Sequence, residues 1–178
     1  RLQGAALAVE PLAREAADEI DVVLLPDFTG LGAPWWDAEA RGGLFGLTRD
    51  AGLPEIAAAV FDASPLQTRD LIEAMRMDAP HALGEASELR IDGGMAKSLW
   101  FAQRLADLTG LKVRRTVDAE MTALGAVLFA GLAAGVYASL EEAAAVSPSA
   151  ELYTPAMGEH LRETAYARWL DALTRVRS

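Results

Sequence analysis

Cysteine is absent from this 178-residue chain, and histidine occurs only twice, at His81 and His160. The sequence therefore predicts no disulfide framework, no thiolate metal site and no cysteine nucleophile. The two histidines stand far apart in polar segments, which is typical of solvated surface residues. The sequence contains no cluster of carboxylates that would predict a metal ion held by protein groups alone. A Gly-x-Ser-x-Gly nucleophile elbow and a P-loop are also missing.

Positive charge is scarce as well. Lysine and arginine number 16 against 26 acidic residues, which gives a formal net charge of -10. Nucleic acids and anionic membranes attract basic surfaces, so we expect neither as a partner. A local phosphate site remains compatible with this charge because backbone amides can supply it. No signal peptide is visible at Arg1, so we expect a cytoplasmic protein, and the missing initial methionine suggests a fragment.

The sequence contains one long run without charged residues. Residues 121–140 carry no charge and reach about the length of a membrane span. The run is rich in alanine and glycine, and Thr122 and Ser139 dilute it further. This composition favours a helix buried in a protein core over a membrane helix. Apolar residues make up 52% of the whole chain, enough for the core of one domain.

Strand and helix patterns alternate along the second half, which indicates an α/β layered domain. Strands are predicted at residues 21–26, 42–48, 89–91 and 112–116, and helices at 2–20, from Leu53 onward, at 98–109, at 122–135 and at 162–176. Leu99, Ala102, Leu105, Ala106 and Leu108 are the predicted inner positions of helix 98–109. Ser64-Pro65 interrupts the helix that begins at Leu53 and predicts a kink or a restart. Pro148 and Pro155 bracket a predicted loop.

The strongest chemical signal is Asp92-Gly93-Gly94, which follows the strand at 89–91 and precedes a helix. Two glycines allow a tight turn and a close approach of the backbone to a ligand. The helix start behind them offers unpaired N–H groups, which suit a phosphate. Ser98 could bond a base or a ribose, or it could cap the helix. A tight turn without any ligand remains the simpler interpretation of the motif alone.

Three further features have competing interpretations. Trp35 and Trp36 could form a platform for a sugar or could anchor their loop, and the anchor is favoured because buried indoles mostly fill space. The neighbouring arginines Arg114 and Arg115 are typical of a solvated face. The same holds for the acidic pair at 141–142.

Four stretches of the sequence and its C-terminal tail resemble the FGGY family of carbohydrate kinases, and within it the glycerol kinases. The stretches occur in the same order as in the family. The stretches are FTGLGAPWWD at 28–37 with Ala40-Arg41-Gly42, GGLFGL at 42–47 with 55–56 and 59–62, IDGG at 91–94 with Ser98 and Trp100, and EMTALGA at 120–126 with 130–131 and Gly135. Tyr153-Thr154-Pro155, Tyr166 and Trp169 carry the match into the tail. The departures are Pro65 inside a helix, Asp62 where glutamate is usual, and Ser98 where asparagine is frequent.

The resemblance implies an α/β fold of the actin-like ATPase (ribonuclease H-like) type, with a mixed sheet flanked by helices. Residues 1–20 are then an N-terminal helical segment of uncertain placement. Residues 21–178 are the C-terminal nucleotide-binding domain of a longer two-domain enzyme. The nucleotide-binding residues that the resemblance assigns are Gly93, Gly94 and Ser98. It assigns no catalytic residue and no metal ligand to this chain, because the family's base and substrate residues lie upstream of it.

The implied reaction transfers the γ-phosphoryl group of ATP to a hydroxyl of glycerol or a related polyol, with Mg²⁺ bound mainly through the missing N-terminal half. The resemblance leads us to expect a homo-oligomer and an inactive isolated fragment. Another sugar or polyol kinase of the family, such as a xylulose kinase, is one alternative, although residues 28–37 argue against it. A non-catalytic nucleotide-binding module is the other.

Overall fold

A computed structural model of the chain describes residues 9–17, 19–80, 88–116, 121–146 and 149–177. The strands in these ranges are β1 (Val23–Leu25), β2 (Gly43–Phe45), β3 (Glu88–Ile91), β4 (Lys112–Thr116) and β5 (Ala150–Tyr153). The helices are α1 (Leu53–Asp78), α2 (Leu99–Thr109), α3 (Met121–Ala133), α4 (Leu140–Ala144) and α5 (Glu159–Val176). Residues 9–13 are also helical. The helix predicted at 2–20 therefore ends too late, because residues 14–17 and 19–20 form a turn and irregular chain; residues 1–8 lie outside the described ranges.

The strands form two small sheets. β1 pairs with β2 in an antiparallel hairpin. In the second sheet β3 is parallel to β4, and β4 is antiparallel to β5. The mixed sheet predicted for this chain is therefore confirmed. The expected loop between Pro148 and Pro155 is wrong, because β5 lies there. Its four residues are too few for their sequence alone to identify a strand, and the pairing with β4 defines it.

Two hydrophobic cores stabilise the fold, and α1 contributes to both. The first core joins β1, α1 and α5 around Leu25, Leu66, Trp169 and Leu173. The second joins α1, α2 and the mixed sheet through Phe61, Phe101, Leu105 and Val113, and Ala13 of the N-terminal helical stretch packs there too. The predicted inner face of helix 98–109 is confirmed except at Leu99, which is 50% exposed. Leu99 is the first residue of α2, and burial begins only at Phe101, two residues into the helix.

Of the two alternatives predicted at Pro65, a kink or a restart of the helix, the restart is wrong. α1 runs without interruption for 26 residues, and Pro65 lies fully buried inside it. Proline removes one helical hydrogen bond. The burial of its ring offsets part of that cost.

The helix predicted at 122–135 is present as α3, but the prediction that it is buried in the core is wrong. No residue of α3 is buried, and Val127 and Phe129 are 63% and 66% exposed. α3 packs against α4, and the ring of Tyr137 covers Gly131. An apolar sequence makes burial favourable, but a second surface must be present to provide it. Among the described residues, no helix is both long enough and apolar enough to cross a bilayer.

Candidate functional site

The Asp92-Gly93-Gly94 motif forms an exposed turn at the carboxyl end of β3. Gly93 has a φ of +85°, in the left-handed region where only glycine is unstrained. Gly94 is right-handed helical, with φ -63° and ψ -45°. A single 3₁₀ turn (Met95–Lys97) follows and leads directly into α2. The motif therefore contains one glycine that the backbone conformation requires and one that it does not.

The turn is open on its outer side. Asp92, Gly93, Gly94 and Met95 are exposed, whereas Ala96 is buried. A Cβ atom added at Gly93 would meet no other heavy atom within 4 Å. A flat ligand can therefore approach this backbone without displacing a protein side chain. This geometry fits one wall of a nucleotide site.

Ser98 occupies the N-cap of α2. Its Oγ accepts a hydrogen bond from the backbone N–H of Phe101 at 2.9 Å, and the residue is only 5% exposed. The capping role considered for Ser98 is therefore present in the structure. A serine hydroxyl still has one hydrogen to donate when its oxygen accepts a bond. A contact from Ser98 to a nucleotide stays a prediction.

A cleft of about 190 Å³ adjoins the turn and includes Asp92, Arg90, Arg114 and Thr116 in its lining. Complete ligand sites enclose about 300–1,000 Å³, so this cleft is smaller than a whole nucleotide site. Arg114 pairs with Glu88 through two bonds of 2.6 and 2.7 Å, and this pairing lowers the pKa of Glu88. A larger cavity of about 700 Å³ lies between β2 and α5, away from the turn.

The two adjacent tryptophans point to different environments. Trp35 donates from Nε1 to Asp70 at 3.0 Å, and the prediction of a loop anchor is confirmed for this residue. Asp70 is buried and also accepts from Tyr166 at 2.8 Å and from Trp169 at 2.7 Å. Burial and the bond to Asp70 raise the pKa of Tyr166. Trp36 is not an anchor, since it is 78% exposed and has a φ of +52°.

Arg115 was predicted to lie on a solvated face, and that prediction is wrong. Its side chain is 13% exposed and donates both to the carbonyl oxygen of Ala96 and to Glu151. Arg114, its neighbour, is 40% exposed on the other face of the sheet. The alternation along β4 places the two arginines on opposite faces, with Arg115 on the face of Val113. That the turn folds over this face depends on the tertiary structure.

Among the described residues, acidic groups do not form a metal-binding cluster at the turn. Within the described ranges, no set of three or more histidine, aspartate or glutamate side chains is placed to hold a metal ion. Asp62, the departure from glutamate, is buried and forms an ion pair with Arg104, whose Nε lies 2.8 Å from its Oδ1. Burial raises the pKa of Asp62, and the bond to Arg104 opposes that shift. His160 is exposed as predicted, and His81 lies outside the described residues.

Comparison of the sequence with known proteins finds the same family that the motifs indicate. The profile of the FGGY family of carbohydrate kinases, C-terminal domain, matches residues 4–134. Glycerol kinase of Ectopseudomonas mendocina is 48% identical over 169 residues, which cover 95% of this chain and 34% of that protein. Glycerol kinase of Rhodospirillum rubrum is 44% identical over 178 residues, or 100% of this chain and 35% of that protein. The chain thus spans about a third of the length of these curated relatives.

Solved structures agree with this result. Plasmodium falciparum glycerol kinase with ADP superposes with a TM-score of 0.80 at 25% identity and covers 95% of this chain and 33% of that one. Xylulose kinase from Lactobacillus acidophilus superposes with a TM-score of 0.74 at 24% identity and covers 93% of this chain and 34% of that one. At this identity the match shows the fold alone. The predicted actin-like α/β fold is confirmed. With the family profile matching most of its length and close relatives aligned along nearly all of it, the chain belongs to the FGGY family of carbohydrate kinases.

Proposed function

We propose that this chain is the nucleotide-binding C-terminal part of an ATP-dependent glycerol kinase. The observation that carries the proposal is the 48% identity to a glycerol kinase over 95% of the chain. The solved xylulose and gluconate kinases share its fold at only 20–24% identity. The exposed Gly93-Gly94 turn gives the proposal a physical basis, because it offers backbone that a nucleotide can approach closely.

In this proposal the turn binds the nucleotide and leaves the chemistry to residues outside these 178. Gly93 supplies the left-handed turn, and Gly94 presents an exposed backbone without a side chain. Ser98 orders the start of α2 and donates its hydroxyl hydrogen to the nucleotide. The glycerol hydroxyl oxygen attacks the γ-phosphorus in line, the bond from that phosphorus to the bridging oxygen breaks and ADP leaves, and the hydroxyl proton passes to a base outside these 178 residues. Positioning and charge stabilisation supply most of the rate. Closure of the two halves excludes water from the reaction.

Mg²⁺ belongs to the same proposed reaction. Such sites usually combine one or two carboxylates with the phosphates of the substrate. Asp92 is the one acidic residue of the Asp92–Ser98 segment. We propose that Mg²⁺ is bound mainly through the part of the longer enzyme that precedes this chain.

The exposed helix α3 supports the idea of a longer enzyme. Helices that are apolar on all sides are normally buried. α3 carries no charged residue, yet Val127 and Phe129 lie open to solvent. The curated relatives are about three times as long as the matched region, which is enough chain to cover this surface.

The test is a hybrid kinase in which this chain replaces the matching third of Ectopseudomonas mendocina glycerol kinase. We expect ATP-dependent phosphorylation of glycerol by the hybrid and none by the isolated chain. The control is a second hybrid, in which this chain replaces the matching third of the xylulose kinase from Lactobacillus acidophilus and xylulose is the substrate, because the substrate residues of each hybrid come from its host. A folded glycerol kinase hybrid without activity, or a xylulose kinase hybrid that retains more of its host's activity, would contradict the proposed function.

A variant of the hybrid tests whether the nucleotide binds at the Gly93-Gly94 turn. Gly94→Val adds a branched side chain at a position with helical φ and ψ, so it blocks the approach to the backbone without a left-handed strain. We expect the KM for ATP to rise about tenfold or more, the result of losing about 1.4 kcal/mol of binding or more. The KM for glycerol and the melting temperature should stay within experimental error. A raised KM for glycerol alone would contradict this placement.

A further inference from the structure

One arginine of β4 supports the Gly93–Ser98 turn from inside. Arg115 donates from Nε to the carbonyl oxygen of Ala96, in the middle of the 3₁₀ turn. Its Nη1 donates to Glu151 Oε2 at 2.8 Å, and the hydroxyl of Tyr153 donates to the same oxygen at 2.9 Å. The guanidinium is therefore held between a carboxylate on β5 and the turn that follows β3.

The register of the sheet explains why this arginine reaches the turn. Arg115 lies opposite Ile91 on one side and opposite Glu151 on the other. It shares a face of β4 with Val113, which is fully buried in the second core beneath α2. Its side chain is 13% exposed, compared with 82% for Arg90 of β3. A side chain enclosed to this degree acts on its protein neighbours.

Both bonds of Arg115 involve a charged group, and such bonds are roughly twice as strong as bonds between neutral groups. Tyr153 packs against the second core, and its hydroxyl donates to the carboxylate of Glu151, whose side chain is itself 50% exposed. The arrangement orders a carbonyl only two residues beyond Gly94 and two before Ser98. A misplacement of about 1 Å in a positioning group can cost about a hundredfold in rate.

We propose that Arg115 is a positioning residue for the nucleotide, acting through the Ala96 carbonyl on the backbone of the Gly93–Ser98 turn. The inference rests on the proposed function, because the turn matters only if it binds the nucleotide. Arg115 itself makes no contact with the nucleotide in this arrangement. Glu151 and Tyr153 complete the support by fixing the far side of the guanidinium.

The adjacent Arg114 provides a matched control. It is an arginine on the same strand, and its guanidinium pairs with Glu88 on the opposite face of the sheet. Replacing Arg114 with alanine removes the same charge and a comparable ion pair without touching the Ala96 carbonyl. A difference between Arg115→Ala and Arg114→Ala therefore reports the contact with the turn.

The first measurement uses amide hydrogen exchange of this chain without nucleotide. Arg115→Ala should raise exchange across residues 94–98, because the turn loses its inner support, and Arg114→Ala should not. Arg115→Lys keeps the charge facing Glu151 and should restore part of the protection. Equal exchange in the wild type and Arg115→Ala would overturn the inference, whatever the function of the chain.

The second measurement uses the hybrid kinase. Arg115→Ala should raise the KM for ATP about tenfold while the KM for glycerol stays unchanged, and Arg115→Lys should recover part of the loss. Gly94→Val, measured in parallel, separates two kinds of failure. If Gly94→Val raises the KM for ATP and Arg115→Ala does not, the positioning role is wrong. If neither variant changes it, the placement of the nucleotide fails, and the inference fails with it.

Discussion

At the scale of single residues, the two glycines of the turn have different roles that their sequence does not distinguish. Gly93 has a left-handed φ of +85° and Gly94 has helical backbone angles. Strain upon substitution is therefore confined to Gly93. A role in ligand approach, which depends on open space and not on strain, is best probed at Gly94.

Gly93→Ala should destabilise the isolated chain by about 1–2 kcal/mol, the cost of placing an L-residue in the left-handed region. The open space around Gly93 means that backbone strain is the whole cost. Gly94→Ala should change the free energy of unfolding by less than about 0.5 kcal/mol. Urea unfolding of both variants is the measurement. Equal losses at the two positions would show that the turn adopts another conformation in solution.

Asp27 is a second residue whose environment has a measurable consequence. It is 5% exposed, its Oδ1 accepts from Gln67 at 3.0 Å, and its Oδ2 has no hydrogen-bond partner among the described residues. Burial raises the pKa of the Asp27 carboxyl; the bond from Gln67 lowers it, and the nearby charge of Asp70 raises it further. The folded chain therefore binds a proton at Asp27 more readily than the unfolded chain does.

This difference fixes the sign of a pH effect. Between the unfolded pKa of 3.8 and the higher folded value, the folded state holds more protons, so stability falls as pH rises through that window. Asp27→Asn cannot ionise and should raise the melting temperature at pH 7. The gain should vanish well below pH 3.8, where the wild-type carboxyl is protonated in both the folded and the unfolded state. Asp50→Asn, at an exposed site, is the control, and an equal gain there at pH 7 would contradict the role of burial.

At the scale of elements, α2 and α3 show opposite relations between apolar sequence and burial. α2 buries Ala102, Leu105 and Leu108, as its periodicity predicts. α3 is more apolar than α2, yet none of its residues is buried. The isolated chain therefore owes its stability to α2 far more than to α3.

One substitution on each helix should separate the contributions of α2 and α3 to the stability of the chain. Leu105→Ala removes a side chain that is 3% exposed and should cost about 2–5 kcal/mol. Phe129→Asp, at a site 66% exposed, should change the stability of the isolated chain by no more than about 0.5 kcal/mol. Thermal melts of both variants test the pair. A large loss from Phe129→Asp would mean that α3 is buried in solution, for example by a second copy of the chain.

At the scale of the whole molecule, the chain is a folded unit with an uncovered apolar surface. Its two cores join β1, α1, α2, α5 and the mixed sheet, while the charge-free α3 stays at the outside. This combination is expected of one part of a larger protein, since large apolar patches on an exposed surface usually mark an interaction site. The length of the curated relatives agrees with it.

The hybrid kinase tests whether the rest of the enzyme covers α3. Phe129→Asp should lower its melting temperature and its activity, because a charge then enters a buried surface. Met77→Asp, at an apolar site 78% exposed at the end of α1, should leave both unchanged. If the two variants behave alike, α3 does not face the N-terminal part of the enzyme.

Local features of this fold were predictable because a few neighbouring residues encode them. The periodicity of residues 99–109 predicted α2, and Gly110 ends it with a φ of +71°. The alternation of strands and helices indicated the layered α/β class, and the ordered motifs identified the family. The glycine turn after β3 also lies at the predicted position.

Other features depended on residues far away in the chain. Only the tertiary structure shows that Trp35 binds Asp70 while Trp36 is exposed, that Arg115 faces inward while Arg114 does not, and that β5 pairs with β4. It also decides that α3 lies outside both cores, although its composition predicted burial. Backbone propensity and periodicity act over a few residues, so the sequence by itself determined the local helices, strands and turns of this protein. Burial and pairing require a partner surface, and only the packed fold decides which surface each side chain meets.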